Sequence, residues 1–415
     1  MKRMLGSWVF ILFMLLVDFY VFQSIKLVTS NLPSKSKFLI YGLYWSFTIL
    51  ALLFFISSPY LKYESLPSFV KNYVVPIIIG FFIAKLVATL FFLVDDLRRL
   101  LQWGGSTAIS AFGSSKNTSN NGIPRSVFMS WLGLGIGSGL FGTLLYGFGN
   151  KYKYKLEKVK LHFENLPLAF KGLKIIHISD IHSGSLQDKQ AVEKGVNKIM
   201  QQKPDLILFT GDLVNNEAVE MDELASVFST LNAPMGVFSI LGNHDYGDYK
   251  QWGSAAKKAT NLSNLKDVHR NMGWRLLLNE HVVLEKDNET IALIGVENWG
   301  AKGNFSTYGD LQKAYTGSKG HSFKLLMSHD PSHWEAEVCK SFNDIDLMLS
   351  GHTHGMQFGV EIPGFRWSPV QYMYKQWAGL YKNKHQKLYV NRGFGFLGYP
   401  GRVGILPEIT LIELA

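Results

Sequence analysis

Two regimes of apolar patterning divide the chain. Before about residue 150 the apolar residues come in long runs without a polar period, from Met4 to Ile25, Phe38 to Ser58, Tyr73 to Val94 and Val127 to Phe148. Each is near the ~20 residues that cross a hydrocarbon core as a helix. They predict an N-terminal all-α bundle of four transmembrane helices over residues 1–150. A cleaved signal peptide is the other reading of the first run, but its length and the three runs behind it favour a polytopic bundle. Residues 104–124, GGSTAISAFGSSKNTSNNGIP, have no apolar period and predict a mobile polar loop, at about 100–126, between helices three and four.

From Lys171 onward, short β-branched runs alternate with polar helical segments, which predicts an α/β domain over residues 151–415. The strand candidates are Leu173 to Ser179, Leu206 to Thr210, Val237 to Leu241, Ile291 to Val296, Leu325 to Ser328, Ile345 to Leu349, Leu388 to Val390 and Ile409 to Ile412.

Composition narrows the class. With 47% hydrophobic and 18% charged residues the chain is too apolar for disorder. One cysteine, Cys339, excludes an intrachain disulfide and a thiolate zinc cluster. The net charge of +10 is uneven: residues 1–150 hold 12 Lys/Arg against 4 Asp/Glu, the rest 30 against 28. The second part lacks the basic field that nucleic acid requires, so no nucleic-acid partner is expected. The excess flanks the apolar runs, where it meets anionic lipid head groups.

With the Lys2/Arg3 end cytoplasmic, the inner segments carry Lys2, Arg3, Lys62, Lys71, Lys151, Lys153, Lys155, Lys158 and Lys160; the outer ones carry Lys26, Lys35, Lys37, Arg98, Arg99, Lys116 and Arg125. The positive-inside rule then puts the second domain on the cytoplasmic face of a multi-pass protein. The segment PRSVFMSWLGLG resembles a twin-arginine export signal lacking one arginine, which argues for the other face. Asp18 and Lys85 fall at similar depth in parallel helices one and three and are expected to pair, with an ion or proton pathway as the other reading. Gly133, Gly135, Gly137 and Gly139 give helix four two overlapping GxxxG spacings for close packing.

Five strand candidates of the second domain end in metal-ligand chemistry: SDIH at 179–182, TGD at 210–212, LGNHD at 241–245, SHD at 328–330 and SGHTH at 350–354. Loops at the carboxyl ends of strands in an open sheet share one crevice. Imidazoles, carboxylates and one amide oxygen suit Mn, Fe or Zn rather than Ca. Seven such groups exceed the needs of one ion. Two ions about 3.5 to 4 Å apart is the arrangement that clamps the attacking and leaving oxygens of a phosphoryl displacement, and Asp212 is the natural bridging carboxylate.

The ordered set D-x-H, GD, GNHD, H and GHTH resembles the calcineurin-like metallophosphoesterase superfamily over about residues 155–415. GHTHGMQ at 351–357, AGLY at 378–381, YVNRGFGF at 389–396 and PEITLIEL at 407–414 resemble its membrane-attached YkuE-like branch. The resemblance implies two packed β-sheets flanked by helices and a dimetal hydrolase. By motif, Asp180, His182, Asp212 and His354 would hold one ion, and Asp212, Asn243, His329 and His352 the other. A bridging hydroxide would attack phosphorus, and the catalytic His244, not a ligand, would protonate the leaving oxygen or stabilise charge there. A metal lowers the pKa of water from about 15.7 to about 7 in the best sites, which such a nucleophile requires.

Two positions depart from the family pattern. Asn215 stands where many members orient the catalytic histidine with Asp; an amide does not stabilise an imidazolium as a carboxylate does, so His244 is expected to act more as a hydrogen-bond donor. Met356 stands in place of a glycine, narrowing its loop. His177, His162, His321 and His385 lie outside the blocks and are read as ordinary core or surface residues. Ser179, Thr210 and Ser350 are read as supporting or turn residues, with no base placed for a serine nucleophile. The aromatic-rich segment 358–399 is either hairpin packing or an acyl-chain groove or interfacial lip. Arg392 and Arg402 bind a phosphate or make structural ion pairs.

The branch implies a phosphorylated lipid or nucleotide-lipid substrate such as UDP-2,3-diacylglucosamine, cleaved to a lipid phosphate and UMP as in lipid A synthesis. Hydrolysis of soluble phosphodiesters or phosphoproteins is the alternative within the class, and a non-catalytic membrane sensor or scaffold with a structural metal site the alternative outside it. Intact ligands and an intact His244 argue against the scaffold.

Overall fold

Continuous apolar runs become strands buried on both faces. In the order of the chain the strands are β1 (Lys155–Leu161), β2 (Lys174–Ile178), β3 (Leu206–Phe209), β4 (Val237–Ser239), β5 (Arg275–Leu276), β6 (Glu280–Lys286), β7 (Glu289–Gly295), β8 (Lys324–Met327), β9 (Leu347–Ser350), β10 (Val360–Ile362), β11 (Phe365–Trp367), β12 (Gly379–Asn383), β13 (Gln386–Val390) and β14 (Glu408–Leu414). One sheet has the order β1-β14-β2-β3-β4-β5, the second β12-β13-β9-β8-β7-β6, and β10-β11 is a separate hairpin.

Period-two alternation builds three layers of core. Leu206 and Leu208 of β3 share one cluster with Leu325 and Met327 of β8 and with Leu347 and Leu349 of β9, so the sheets pack face to face. Ile207 and Phe209 of β3 instead meet Val192, Val196 and Ile199 of the helix Lys189–Met200. Asp188 caps that helix, accepting a hydrogen bond from the Ala191 amide at 2.9 Å. Leu326 and Met348 pack outward on Trp334 and Val338. The domain is thus the two-sheet α/β architecture expected.

The strands β2, β3 and β4 are mutually parallel, as are β7, β8, β9 and β13. Their carboxyl ends meet: the Asp180 amide donates to Gly211 O at 2.9 Å, and the His329 Nδ1 to Thr210 O at 2.7 Å. β1, β5, β6 and β10 to β12 add to the expected strands.

This computed structural model describes residues 2–57, 66–67, 69–110, 125–303 and 305–415. The chain divides into units Met1–Tyr146 and Gly147–Ala415. In the first, helices α1 (Lys2–Val28), α2 (Ser34–Ser57), α3 (Val75–Ser110) and α4 (Arg125–Gly147) are long and apolar enough to cross a membrane. Of the polar loop expected from about 100, residues through Ser110 instead continue α3. No proline interrupts it there, and each added residue gains one backbone hydrogen bond. Residues 111–124 of the expected loop lie outside the described residues.

Inside this unit Lys85 pairs with Asp18, both buried, and Tyr44 donates to the Asp18 backbone oxygen at 2.8 Å. Gly133 and Gly137 lie against Ala88 and Ala84 of α3, where a Cβ would stand 2.9 and 2.7 Å from their carbonyl oxygens. Gly135 and Gly139 have nothing within 4 Å of the same position, so one of the two GxxxG spacings packs within the bundle.

Removing one partner of a buried ion pair leaves an uncompensated charge, so Lys85→Ala is predicted to destabilise the bundle by about 3 to 5 kcal/mol. Asp18→Asn combined with Lys85→Met should recover most of that loss in thermal melts of the detergent-solubilised protein. A second prediction concerns His269, fully buried at 3.0 Å from Ser239 Oγ, whose pKa burial lowers from 6.5 to about 3. Its neutral form favours the fold above the unfolded pKa, and that stability is lost as pH falls from 6.5 toward 3, at about 1.4 kcal/mol per unit. His269→Gln should therefore flatten the decline of the melting midpoint between neutral and acidic pH.

Candidate metal centre

Five loops carry the chemistry, each at the carboxyl end of a parallel strand. Asp180 and His182 follow β2, Asp212 follows β3, Asn243 and His244 follow β4, His329 follows β8, and His352 and His354 follow β9. The chain turns so sharply there that Asp180, His182, Asp212, His352 and His354 adopt φ of 54°, 49°, 61°, 69° and 49°. Non-glycine residues in this left-handed region cost about 1 to 3 kcal/mol each and persist only where the surroundings impose them. Asp245 supplies part of that constraint. Its buried carboxylate accepts the amides of Gly242 (2.9 Å), Asp212 (2.9 Å), Leu213 (2.8 Å) and Val214 (3.3 Å), which ties the β3 and β4 loops together.

The side chains meet in two adjoining groups, Asp180 with His182 and His354, and Asp212 with His329 and His352. Within each, the potential ligand atoms lie within 4.8 Å of one another. Asp212 Oδ2 is 3.1 Å from His329 Nε2 and 3.6 Å from His182 Nε2, so it faces both groups. Asn243 Oδ1 lies 2.9 Å from His352 Nδ1. His244 donates its backbone amide to Asp212 Oδ1 at 2.8 Å, with its ring 5.0 Å from that of His182. The structure thus brings together all eight residues singled out in the sequence.

The donor atoms fit a cation. His182 gives its Nδ1 proton to Asn215 Oδ1 at 3.1 Å, which leaves the Nε2 lone pair facing His354 Nε2, also at 3.1 Å. His329 spends Nδ1 on Thr210 O, and its buried Nε2 faces the Asp212 carboxylate at 3.1 Å. His352 Nε2 contacts Tyr374 Oη at 3.0 Å, and that hydroxyl in turn donates to Asp330 Oδ2 at 3.3 Å. This relay puts the His352 proton on Nε2 and turns a bare Nδ1 toward the Asn243 oxygen. Two acceptors facing each other repel, so the His352 and Asn243 pair fits a cation between them. His354 Nδ1 lies 3.3 Å from Arg402 Nη2.

The electrostatics agree. Burial holds the His182 pKa at about 3, so the ring is neutral at neutral pH, as a ligand must be. Burial alone would raise the carboxyls of Asp180 and Asp212, yet the imidazoles around them, His354 and His329 foremost, hold both well below the usual range. Burial likewise opposes charge on His329, but Asp212 outweighs it and lifts the pKa to about 10. The negative field that retains this proton also attracts a divalent cation, whose binding releases the proton.

Several surrounding residues differ from expectation. Asn215 meets His244 through its backbone rather than its amide: the backbone oxygen accepts from His244 Nδ1 at 2.8 Å, while the side chain holds His182. Met356 does not narrow its loop, because at φ 55° its side chain turns out and is half exposed. Neither arginine is free for a phosphate. Arg402 is fully buried, with Nη1 on Arg392 O at 2.7 Å and His354 O at 3.2 Å, and Arg392 pairs with Glu408 and Glu361. His177 is a buried partner of Thr210 Oγ1 at 2.9 Å, as its place outside the blocks implied.

Asp330, Tyr374 and Asp245 were given no role by the sequence reading. Asp330 and Asp245 each directly follow a blocked histidine, which is the one signal the sequence offered. Groups that orient a ligating histidine typically contribute about 10- to 100-fold in metal affinity. Asp330→Asn and Tyr374→Phe are each predicted to weaken divalent-cation binding by about that factor, read by chelator competition and elemental analysis of the purified protein.

Comparisons with known proteins place this geometry. A family profile described as calcineurin-like phosphoesterase matches residues 173–356, and one described as a probable calcineurin-like phosphoesterase transmembrane domain matches residues 2–150. The uncharacterized metallophosphoesterase YkuE of Bacillus subtilis is 31% identical over 252 residues, covering 60% of this chain and 81% of that protein. A zebrafish transmembrane protein with metallophosphoesterase domain is 28% identical over 269 residues, 63% of this chain and 57% of the relative. The UDP-2,3-diacylglucosamine pyrophosphatase LpxG of Chlamydia trachomatis is 28% identical over 284 residues, 56% of this chain and 81% of that protein.

Proposed function

Because the chain belongs to the calcineurin-like metallophosphoesterase family and carries four helices able to cross a membrane, we propose that it hydrolyses a lipid-linked phosphodiester or pyrophosphate at a dimetal site. Asp180, His182, Asp212 and His354 hold one divalent ion, and Asp212, Asn243, His329 and His352 the other, with Mn, Fe or Zn suited to that mixed oxygen and nitrogen set. The observation that carries this reading is the pair of adjoining acid and histidine groups with Asp212 facing both.

The bound ions supply Lewis acidity, lowering the pKa of water and stabilising charge on the phosphoryl oxygens. The protein's own groups do the rest. His244 fixes Nδ1–H on the Asn215 carbonyl, so Nε2 is the atom that delivers a proton to the leaving oxygen. That carbonyl also stabilises the imidazolium while it carries the proton, the task a carboxylate performs elsewhere. Asp212 takes the His244 amide on Oδ1 and keeps Oδ2 for the site, which couples the acid to the metal centre.

The lipid assignment draws on the Chlamydia relative, whose name specifies UDP-2,3-diacylglucosamine. It also draws on the tether, which holds the site near one leaflet and raises encounter with lipid-borne substrates. The distribution of lysine and arginine favours the cytoplasmic leaflet.

The purified full chain in detergent should turn over bis-p-nitrophenyl phosphate with added Mn and stop on chelation. Loss of several kcal/mol of metal stabilisation should cost Asp212→Ala about 100- to 1000-fold in rate; chelator-insensitive turnover, or full activity in this variant, would reject the dimetal reading. His244→Ala should slow esters of poor leaving groups by about 100-fold or more while sparing p-nitrophenolate release, which needs little protonation. UDP-2,3-diacylglucosamine in mixed micelles should yield UMP.

A further inference from the structure

One edge of the catalytic unit exposes apolar side chains beside the metal centre. The hairpin β10–β11 pairs Val360 with Trp367, Glu361 with Arg366 and Ile362 with Phe365. Cross-strand partners and alternate residues share a face. Val360, Ile362, Phe365 and Trp367 therefore line one face, Glu361 and Arg366 the other.

The two faces are treated differently. The polar face is tied down: Glu361 pairs with buried Arg392, and the Arg366 guanidinium lies 5.0 Å from the Trp377 ring and 5.8 Å from that of Tyr381. The apolar face is bare, with Val360 42%, Ile362 58% and Phe365 54% exposed. Tyr372, whose hydroxyl meets Trp367 Nε1, and its neighbour Met373 are also exposed, at 78% and 56%. A hairpin of three-residue strands is not stable by itself, so the polar anchors hold it in place with its apolar side outward.

Its position ties it to the site. Val360 lies six residues beyond His354, and Ser368, just after β11, donates to Gly355 O at 2.8 Å. Tyr374, next to the exposed Tyr372 and Met373, touches His352. Both ends of the exposed segment thus connect to ligand histidines.

We propose that this face is a membrane-docking lip that seats in the head-group region of a bilayer and admits a lipid-borne phosphate ester to the metal centre. A bilayer is the occupant because the same chain carries four membrane-spanning helices, and because the face is graded as an interface requires. The aliphatic Ile362 and the phenyl ring of Phe365 close the hairpin at its tip, Trp367 and Tyr372 meet each other at 3.5 Å toward its base, and Lys302 reaches the backbone oxygen of Met373 in the segment that follows, a cation suited to anionic lipid. The proposal rests on the lipid-substrate reading above.

The test uses the full-length protein in nanodiscs of phosphatidylcholine and phosphatidylglycerol. In a Cys339→Ser background, Ile362→Cys is labelled with an environment-sensitive fluorophore, and Val283→Cys, exposed on β6, serves as the control. Spin-labelled phosphatidylcholine should quench the label at 362 about threefold or more beyond that at 283, as burial at head-group depth requires. Equal, weak quenching at both positions, or a label at 362 shielded instead in a dimer seen by cross-linking, would overturn the proposal. Ile362→Asp with Phe365→Asp should lower turnover of a phosphodiester lipid in vesicles about tenfold by abolishing seating, with bis-p-nitrophenyl phosphate turnover unchanged. Equal loss on both substrates would also overturn it. Failure of the parent protein to hydrolyse bis-p-nitrophenyl phosphate at all would count against the dimetal reading and leave the quenching result to decide the lip.

Discussion

Two carboxylates without exposure to solvent, Asp180 and Asp212, set the terms for the catalytic unit. Ionised groups in a low-dielectric interior are tolerated only when positive charge and donors surround them. The fold supplies both. Parallel strands from two sheets end at one edge, so imidazoles from separate loops reach the same pair of acids. The backbone accepts five left-handed residues there, because a gentler exit from the strands would carry these side chains past one another. Asp245 opposes the resulting strain by gathering four amides, and Arg402 closes the far side, its guanidinium spent on main-chain oxygens including that of His354. A divalent cation completes what the histidines begin, and the chemistry is a consequence of that charge balance.

How much of this was legible in the sequence depended on whether one residue carried its own signal. β3 and β9, apolar on both faces, read as strands without ambiguity. β1, KLEKVKL, did not: its lysines belong to a partly exposed edge strand whose alternate positions carry charge. β5 has two residues and β10 and β11 three each, too short for any period to emerge. The ligand set was legible because histidine, aspartate and glycine recur in fixed spacing at strand ends. The residues around it were not. Tyr374 stands 22 positions from the histidine it supports, and nothing local distinguishes it from the other tyrosines nearby. Asp330 and Asp245 adjoin the blocks, yet which acid binds an ion and which binds amides depends on the direction of the side chain, which spacing does not reveal.

Asn215 shows a different limit. An amide in place of a carboxylate suggests that the neighbouring histidine loses the group that stabilises its charged form. In the folded protein the main chain of the same residue does that work, and the amide side chain serves another imidazole. A substitution read from sequence alone removes a function only if the backbone cannot assume it. Here the loop is fixed by Glu220, which accepts the amides of Asn215, Asn216 and Glu217, so the Asn215 carbonyl points where it is needed whatever side chain it carries.

The same logic separates tethering from presentation. Under the proposed function, four apolar helices raise the local concentration of lipid substrate but do not bring its phosphate from head-group depth to the buried acid and histidine groups. That step needs a surface which lowers the cost of moving part of a lipid out of its leaflet, and it needs that surface within a few residues of the ligands. The hairpin meets both conditions by dividing its faces. Its charged residues are consumed by Arg392 and by the rings of Trp377 and Tyr381, and what remains outward is apolar. Exposed apolar groups on an edge hairpin invite aggregation in water, and a chain that lives at a bilayer has a standing partner for them. Under the proposed function the membrane acts twice, as the solvent of one unit and as the source of substrate for the other.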